Sequence, residues 1–209
     1  MAAKVDFKKT VASYRAAAGV FGMVEVPDLH YLMIDGHGDP NTSVRYAQAI
    51  ETLYPIAYSL KFTSKNDFGR DYVVPPLEAL WWADEMSVFT TARDKARWDW
   101  TLMLMTPDWI DVTLFDAVSA SVATKKGPPL IDELRLAPLA EGRCLQTLHI
   151  GPYDDEAPVL AHMHDEVIPS RGLTMTGKHH EIYLSDARRV APAKLRTILR
   201  QPVREAPAT

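Results

Sequence analysis

The sequence lacks the features that would place the protein outside the ordinary soluble class. It has a single cysteine, Cys144, so no disulfide can form within the chain, and no activating basic partner marks that thiol as a nucleophile. No stretch approaches roughly 18 consecutive apolar residues, and the N-terminal residues contain no apolar signal-peptide core. The formal net charge of -4 argues against nucleic-acid binding. We therefore expect a cytoplasmic protein that contacts neither membrane nor nucleic acid.

Motifs that mark common enzyme classes are also missing. There is no Gly-x-Ser-x-Gly elbow and no His-Glu-x-x-His zinc motif. The segment Gly36-His37-Gly38 is too short for a dinucleotide-binding fingerprint. His179 and Glu181 are two residues apart, which leaves a metal site as a minor alternative. We expect neither a metal nor a cofactor.

One short stretch, residues 178–186, combines strand-forming residues with chemically capable side chains. Alternation along a strand places His179, Glu181, Tyr183 and Ser185 on one face. The other face carries His180, Ile182 and Leu184 and is apolar enough to pack inside the protein. A carboxylate between an imidazole and a phenol suggests a cavity wall, whereas the alternative is an ordinary solvated sheet face.

The five tryptophans are clustered within thirty residues. They are Trp81, Trp82, Trp98, Trp100 and Trp109. Flat indole rings can form the walls of a site for a polycyclic aromatic molecule, and core packing is the alternative for each of them.

The pattern of strands and helices occurs twice. Strands are predicted at residues 29–35, 77–82, 98–105, 143–150, 178–185 and 195–203. In each half a helix follows the first strand, and a further helix at 111–126 connects the halves. We therefore predict one domain, residues 1–203, with repeats at about 27–106 and 143–203 and a disordered tail at 204–209.

These elements predict an α+β fold in which a duplicated strand-helix-strand-strand module forms an antiparallel sheet with helices on one face. A groove between the repeats is where a small molecule would bind. Local expectations are an N-terminal arm over the body, a charged connection from Ser87 to Arg97, and a kink or early break at Pro55 in the first helix.

The chain resembles the GyrI-like small-molecule-binding superfamily, whose members share this duplicated (SHS2) module. The matching stretches are residues 32–41, 76–82, 149–153, 179–186 and 195–203. Within that superfamily it is most similar to stand-alone bacterial proteins that include cyclopropanoid cyclopropyl hydrolases. Those enzymes use water to open the cyclopropane of yatakemycin- and duocarmycin-type DNA alkylators, and so confer xenobiotic resistance by detoxification.

The resemblance implies a role for Glu181, and the chemistry of other side chains suggests roles for them. Glu181 corresponds to the acidic residue at the centre of the family's ligand cavity, where it would position or deprotonate water. Tyr153 or Tyr183 would stabilise the developing phenolate. The ligand would be held by His179, the five tryptophans and an adaptable floor formed by Met103 and Met105.

Two other functions stay open at this stage. The same cavity can sequester hydrophobic or cationic aromatic drugs without turnover, with Glu181 as counter-ion and the tryptophans as cation-π walls. A gyrase-inhibitor-like interaction protein is the third possibility. For hydrolysis and for sequestration the partner is a hydrophobic aromatic small molecule. The protein is expected to be a monomer or a homodimer.

Overall fold

The computed structural model describes residues 4–83 and 94–207. Within these residues, nine strands form one sheet in which the strands pair antiparallel, in the order β1-β6-β9-β8-β3-β4-β2-β5, and β7 pairs with β9. The strands are β1 (Gly22–Val26), β2 (Leu29–His37), β3 (Leu77–Trp82), β4 (Asp99–Thr106), β5 (Arg135–Leu139), β6 (Gly142–Ile150), β7 (Leu173–Met175), β8 (His179–Tyr183) and β9 (Arg196–Glu205).

The helices of the described residues either precede β1 or lie between strands. They are α1 (Phe7–Thr10), α2 (Val44–Phe68), α3 (Val112–Lys126), α4 (Ala157–Ala161) and α5 (Ile168–Ser170), and a π-helical segment, His162–Val167, joins α4 to α5. Together α4, the π segment and α5 form the irregular helix of the second half. No helix within the described residues is both long and apolar enough to cross a membrane.

The duplication predicted from the sequence is confirmed. The first half runs β2-α2-β3-β4, and the second runs β6, the irregular helix, β8 and β9. The halves meet where β3 pairs with β8, in a register that places Ala79 opposite Glu181 and Trp81 opposite His179. One continuous sheet therefore spans both repeats, and its centre is their junction.

The helix α2 is longer than the sequence predicted. Ser43 caps its first turn through a hydrogen bond from the backbone N–H of Tyr46, and Gly69 ends it in a left-handed conformation with φ 67°. An early break at Pro55 is wrong, because the helix continues through it to Phe68, whereas a kink there stays a prediction. Pro55 removes the hydrogen bond to the carbonyl of Glu51, which is on the exposed side of the helix where water can replace it.

Three strands and part of a fourth were not predicted. β1 and β5 occupy the two edges of the sheet, and β7 adds to the end of β9. β9 continues to Glu205, two residues into the segment predicted as a disordered tail. Most of the charged connection from Ser87 to Arg97 lies outside the described residues, and Lys95–Arg97 forms a single 3₁₀ turn.

The two faces of the sheet are covered differently. On the helix side, Leu32, Leu102 and Trp100 are completely buried against α2. On the opposite side, the N-terminal arm packs over the sheet, and its Tyr14 is buried beside Leu148. The arm was predicted, and both faces are shielded from solvent as a result.

Candidate functional site

A cavity of about 690 Å³ lies at the junction of the two repeats, on the helix side of the sheet. Its walls come from both halves. The first half contributes Tyr46, Ile50 and Tyr54 from α2 and Leu77 and Trp81 from β3. The second half contributes Glu156, Leu160 and the three residues of β8 that face the cavity. The volume is within the range that suits a drug-sized molecule.

The wall formed by β8 follows strand alternation. His179, Glu181 and Tyr183 all line the cavity, and the Glu181 side chain is 13% exposed. The Tyr183 hydroxyl donates to Oε2 of Glu181 at 2.7 Å and accepts from Nε1 of Trp81 at 3.2 Å. The carboxylate is therefore fixed through one oxygen by a chain of two hydrogen bonds.

The tyrosines of the cavity stay protonated at neutral pH. Burial, followed by the charge of Glu181, raises the pKa of Tyr183 well above its usual value and also raises that of Tyr46. Burial and the nearby carboxylates of Glu156 and Glu181 raise the pKa of Tyr153 to about 12. These hydroxyl groups act as hydrogen-bond donors rather than as bases.

One imidazole of this wall, that of His179, packs against a second one, that of His164, which is not part of the cavity lining. His179 has a side chain that is 6% exposed, and its Nε2 lies 3.6 Å from Oε1 of Glu181. Neither ring nitrogen of His179 has a hydrogen-bond partner among the described residues. Its ring contacts the edge of His164 at a centroid distance of 5.7 Å. Burial, with a smaller effect of His179, lowers the pKa of His164 to about 3, so His164 is neutral at physiological pH.

Aromatic rings surround the carboxylate on several sides. Trp81 meets Trp98 edge to face at 5.5 Å and stacks with Tyr46 at 6.3 Å. Tyr153 contacts Tyr183 edge to face at 5.4 Å. These contacts lie within the range in which aromatic pairs stabilise one another, so the rings form a preformed apolar shell around Glu181.

Ion pairs lie among the residues that line the cavity. Lys95 pairs with Asp154 at 2.7 Å, and the Asp154 side chain is 73% exposed. Arg188 donates two hydrogen bonds of 2.9 Å to Asp186, and these bonds lower the pKa of that carboxyl to about 2. The side chains of Asp154 and Arg188 are mostly solvent-exposed, so these pairs mark the mouth of the cavity.

The reverse side of β8 is immobilised by a buried polar network. His180 Nδ1 lies 2.9 Å from Oε1 of Glu141, and its Nε2 lies 3.0 Å from Oε2 of Glu78. Arg200 donates to the other oxygen of Glu141 at 2.8 Å, and Tyr14 of the arm donates to Glu78. Burial alone would raise the pKa of Glu141, but His180 and Arg200 lower it to about 2. The network contains opposite charges in contact, which offsets the cost of burying them.

Six of the residues proposed from the sequence meet in the cavity. They are Glu181, Tyr183, Tyr153, Trp81, Trp98 and His179. The other five are absent from its lining. They are Trp82, Trp100, Trp109, Met103 and Met105.

The methionines and Trp82 lie on the opposite face of the sheet. Met103 and Met105 are buried in the core beneath the N-terminal arm, so they cannot form the floor of this cavity. Trp82 packs against the same core, and the ammonium of Lys178 lies 3.0 Å from the centre of one of its rings. All three are therefore corrections to the expected binding site.

The two remaining tryptophans have structural contacts. Trp100 is on the helix side but is completely buried, with its ring against Gly36 and its Nε1 donating to the carbonyl of Gly38 at 3.2 Å. Trp109 donates to Oγ of Ser64 at 2.9 Å. Both indoles belong to the core rather than to the cavity wall.

Several cavity residues were missed as site residues by sequence reasoning. Tyr46 and Ile50 were identified only as part of a buried helical stripe, and Tyr54 and Glu156 were not singled out. The apolar stripe on α2 was the available signal for these residues, because an apolar helix face must be shielded from water by protein or by a ligand. Among the described residues, no group of three His, Cys, Asp or Glu side chains is arranged to hold a metal ion.

Comparisons with known proteins agree with this architecture. The model of the GyrI-like small-molecule-binding domain matches residues 21–204. An uncharacterized conserved protein from Listeria innocua has a similar structure, with 36% identity, a TM-score of 0.87 and coverage of 96% of this chain and 100% of that one. The comparison with curated proteins found no match.

Two further similar structures are of hydrolases from Listeria innocua. One has 35% identity and a TM-score of 0.82 over 96% of this chain, and the other has 34% identity and a TM-score of 0.84 over 97%; both Listeria chains are covered completely. The C-terminal domain of EcmrR shares only the fold, with 12% identity and a TM-score of 0.54 over 90% of this chain and 98% of that domain. By the extent of the domain match and these identities, the chain belongs to the GyrI-like small-molecule-binding domain family.

Proposed function

We propose that the protein is a metal-independent hydrolase that opens the cyclopropane of cyclopropanoid DNA-alkylating natural products of the yatakemycin and duocarmycin type, and so detoxifies them. The observation that carries the proposal is the setting of Glu181, a carboxylate held by Tyr183 inside an aromatic cavity. The two similar hydrolase structures support a hydrolytic reaction.

Glu181 is the group that activates water. Its Oε2 accepts from Tyr183, so Oε1 is the oxygen that takes a hydrogen bond from a water molecule. The water oxygen forms a bond to the least hindered cyclopropane carbon as its proton passes to Glu181. The broken carbon–carbon bond gives its electron pair to the conjugated ring system, which becomes aromatic. The carbonyl oxygen of that system becomes a phenolate and takes up a proton, and Glu181 gives up the proton it received, so the net change is the addition of one water.

Tyr153 is the better donor to the developing phenolate. The hydroxyl of Tyr183 already donates to Glu181, whereas that of Tyr153 has no hydrogen bond to another described residue. A pKa of about 12 keeps Tyr153 protonated at neutral pH, as this role requires. Trp81 and Trp98 would flank the aromatic rings of the substrate.

A second candidate function is sequestration of cationic aromatic compounds. It is favoured by the ion pairs at the mouth, where Lys95 and Arg188 are each bound to an aspartate and so leave the charge of Glu181 uncompensated by them. A cation held between Trp81 and Trp98 would then have Glu181 as its counter-ion.

Mass spectrometry distinguishes the two functions. The purified protein is incubated with a duocarmycin-type cyclopropanoid, and the compound is followed by liquid chromatography. Turnover adds the mass of one water to many equivalents of compound, and Glu181→Gln is expected to abolish it. Asp165→Asn changes an exposed carboxylate outside the cavity lining and is expected to retain turnover within about twofold.

Each outcome decides between the proposals. Intact compound retained at one equivalent by the wild-type protein favours sequestration over hydrolysis. Intact compound that is not retained removes this substrate class. Turnover that survives in Glu181→Gln removes Glu181 from the mechanism.

A further inference from the structure

A row of side chains on α2 runs from the cavity to the protein surface. Its members, spaced four residues apart, are Tyr46, Ile50, Tyr54, Tyr58 and Phe62. Residues at this spacing are neighbours on a helix. The first three line the cavity, whereas Tyr58 and Phe62 lie beyond it and are 48% and 51% exposed.

The outer part of the row is an aromatic ladder, formed by Tyr54, Tyr58 and Phe62. The rings of Tyr54 and Tyr58 are stacked at a centroid distance of 6.3 Å with an angle of 27°, and those of Tyr58 and Phe62 at 6.5 Å with an angle of 29°. Tyr54 belongs both to the cavity wall and to the ladder. The ladder is therefore continuous with the cavity rather than a separate patch.

The mouth of the cavity adjoins the ladder. Arg188 lines the cavity and is close enough to Tyr54 and Tyr58 to interact electrostatically with both. Scattered exposed aromatic residues need no explanation, but a stacked row that continues a ligand cavity suggests a binding surface. Three side chains cover far less than the roughly 800 Å² per partner of a stable protein interface, which favours a small molecule as the occupant.

We propose that the ladder is an outer subsite that binds the projecting arm of an elongated, flat, multi-ring aromatic ligand whose other end is in the cavity. The proposal rests on the proposed function, because it requires the cavity to take an aromatic ligand. Tyr54 and Phe62 are eight residues apart, so the arm extends about 12 Å along the helix. Compact ligands fill the cavity without reaching Tyr58.

Two fluorescent probes of different length test this proposal. Proflavine is a compact three-ring acridine, and Hoechst 33258 is an elongated bis-benzimidazole. Combining Tyr58→Ala with Phe62→Ala is expected to weaken Hoechst binding about tenfold, because two ring contacts are lost, and to leave proflavine binding unchanged. Both side chains are half exposed, so circular dichroism should show a folded variant.

Matched variants separate the two parts of the site. Phe68→Ala removes another exposed ring of α2, 58% exposed and outside the row, and is expected to leave both affinities unchanged. Trp81→Leu changes the cavity wall and is expected to weaken both probes.

The outcomes separate this proposal from the proposed function. If Hoechst binds, and the double variant binds it as tightly as the wild type or loses both probes equally, the outer subsite is overturned while the cavity stands. If neither probe binds the wild type, the aromatic cavity and the subsite both fail. Sedimentation that shows a wild-type dimer and a monomeric double variant would make the ladder a contact between two copies and would also overturn the proposal.

Discussion

The hydroxyl of Tyr183 donates a 2.7 Å hydrogen bond to Glu181, two residues away on the same strand. We expect Tyr183→Phe to lower the rate of cyclopropanoid hydrolysis by about 10- to 100-fold, because a hydrogen bond to a charged group contributes about 1.5–3 kcal/mol. Steady-state kinetics measures the change. Tyr54→Phe removes a hydroxyl from the cavity wall outside this hydrogen-bond chain and is the control. Equal losses in the two variants would contradict a specific role for Tyr183.

Trp98 and Trp82 lie on different faces of the sheet, so their substitution is expected to affect ligand affinity differently. Trp98→Leu removes a ring from the cavity wall, and we expect it to weaken the binding of a planar aromatic compound about three- to tenfold. Trp82→Leu changes a ring on the opposite face and should leave that affinity unchanged. Fluorescence titration with proflavine measures both. A larger loss of affinity for Trp82→Leu than for Trp98→Leu would contradict the prediction, because it would place the ligand on the face covered by the N-terminal arm.

The close contact between Gly36 and Trp100 makes a prediction about stability. A Cβ atom at position 36 would collide with the completely buried indole of Trp100, and we expect Gly36→Ala to lower the free energy of unfolding by about 1–3 kcal/mol. Gly22→Ala is the matched control, since a Cβ atom at position 22 would meet no other atom within 4 Å. Urea unfolding of both variants tests the contrast, which fails if Gly36→Ala is as stable as the wild type.

The buried His164 predicts loss of stability in acid. Its pKa is about 3 in the folded protein and 6.5 as the reference value, so only the unfolded chain takes up this proton between those values. Stability is therefore lost as pH falls from 6.5 towards 3, and the loss amounts to about 2 kcal/mol at pH 5.

Comparison with His164→Leu isolates this contribution from that of Glu141, whose lowered pKa also destabilises the fold in acid, below its reference value of 4.5. Urea unfolding at several values between pH 7 and pH 5 should show a smaller decrease for the variant. If the free energy of unfolding falls equally with pH in the wild type and in His164→Leu, then His164 takes up a proton equally in the folded and unfolded states.

The sequence was most informative where alternation was regular. Alternation along β8 placed Glu181 and Tyr183 on one face and His180 on the other, and the structure has them so. The same alternation in β4 separates Met103 from Trp100, but it does not say which face the helices cover. The methionines were misplaced for that reason.

Features that depend on tertiary contacts were not predictable. An apolar helix stripe shows that Tyr46 and Ile50 face the interior of the protein. It does not show whether they contact packed side chains or line a ligand cavity. β1 and β5 gain their hydrogen bonds from strands distant in sequence, so neither has a strong local signal. The continuation of α2 past Pro55 likewise depends on which carbonyl groups face water.

The buried network behind β8 determines how freely the carboxylate on its other side can move. Glu181 follows His180 directly in the chain, and His180 is held by Glu78 and Glu141 from neighbouring parts of the structure. The backbone beneath Glu181 therefore has little conformational freedom left to lose when a ligand enters. Affinity at this site would arise with a small entropic penalty, and a cationic or polar guest would meet a carboxylate whose direction is already set.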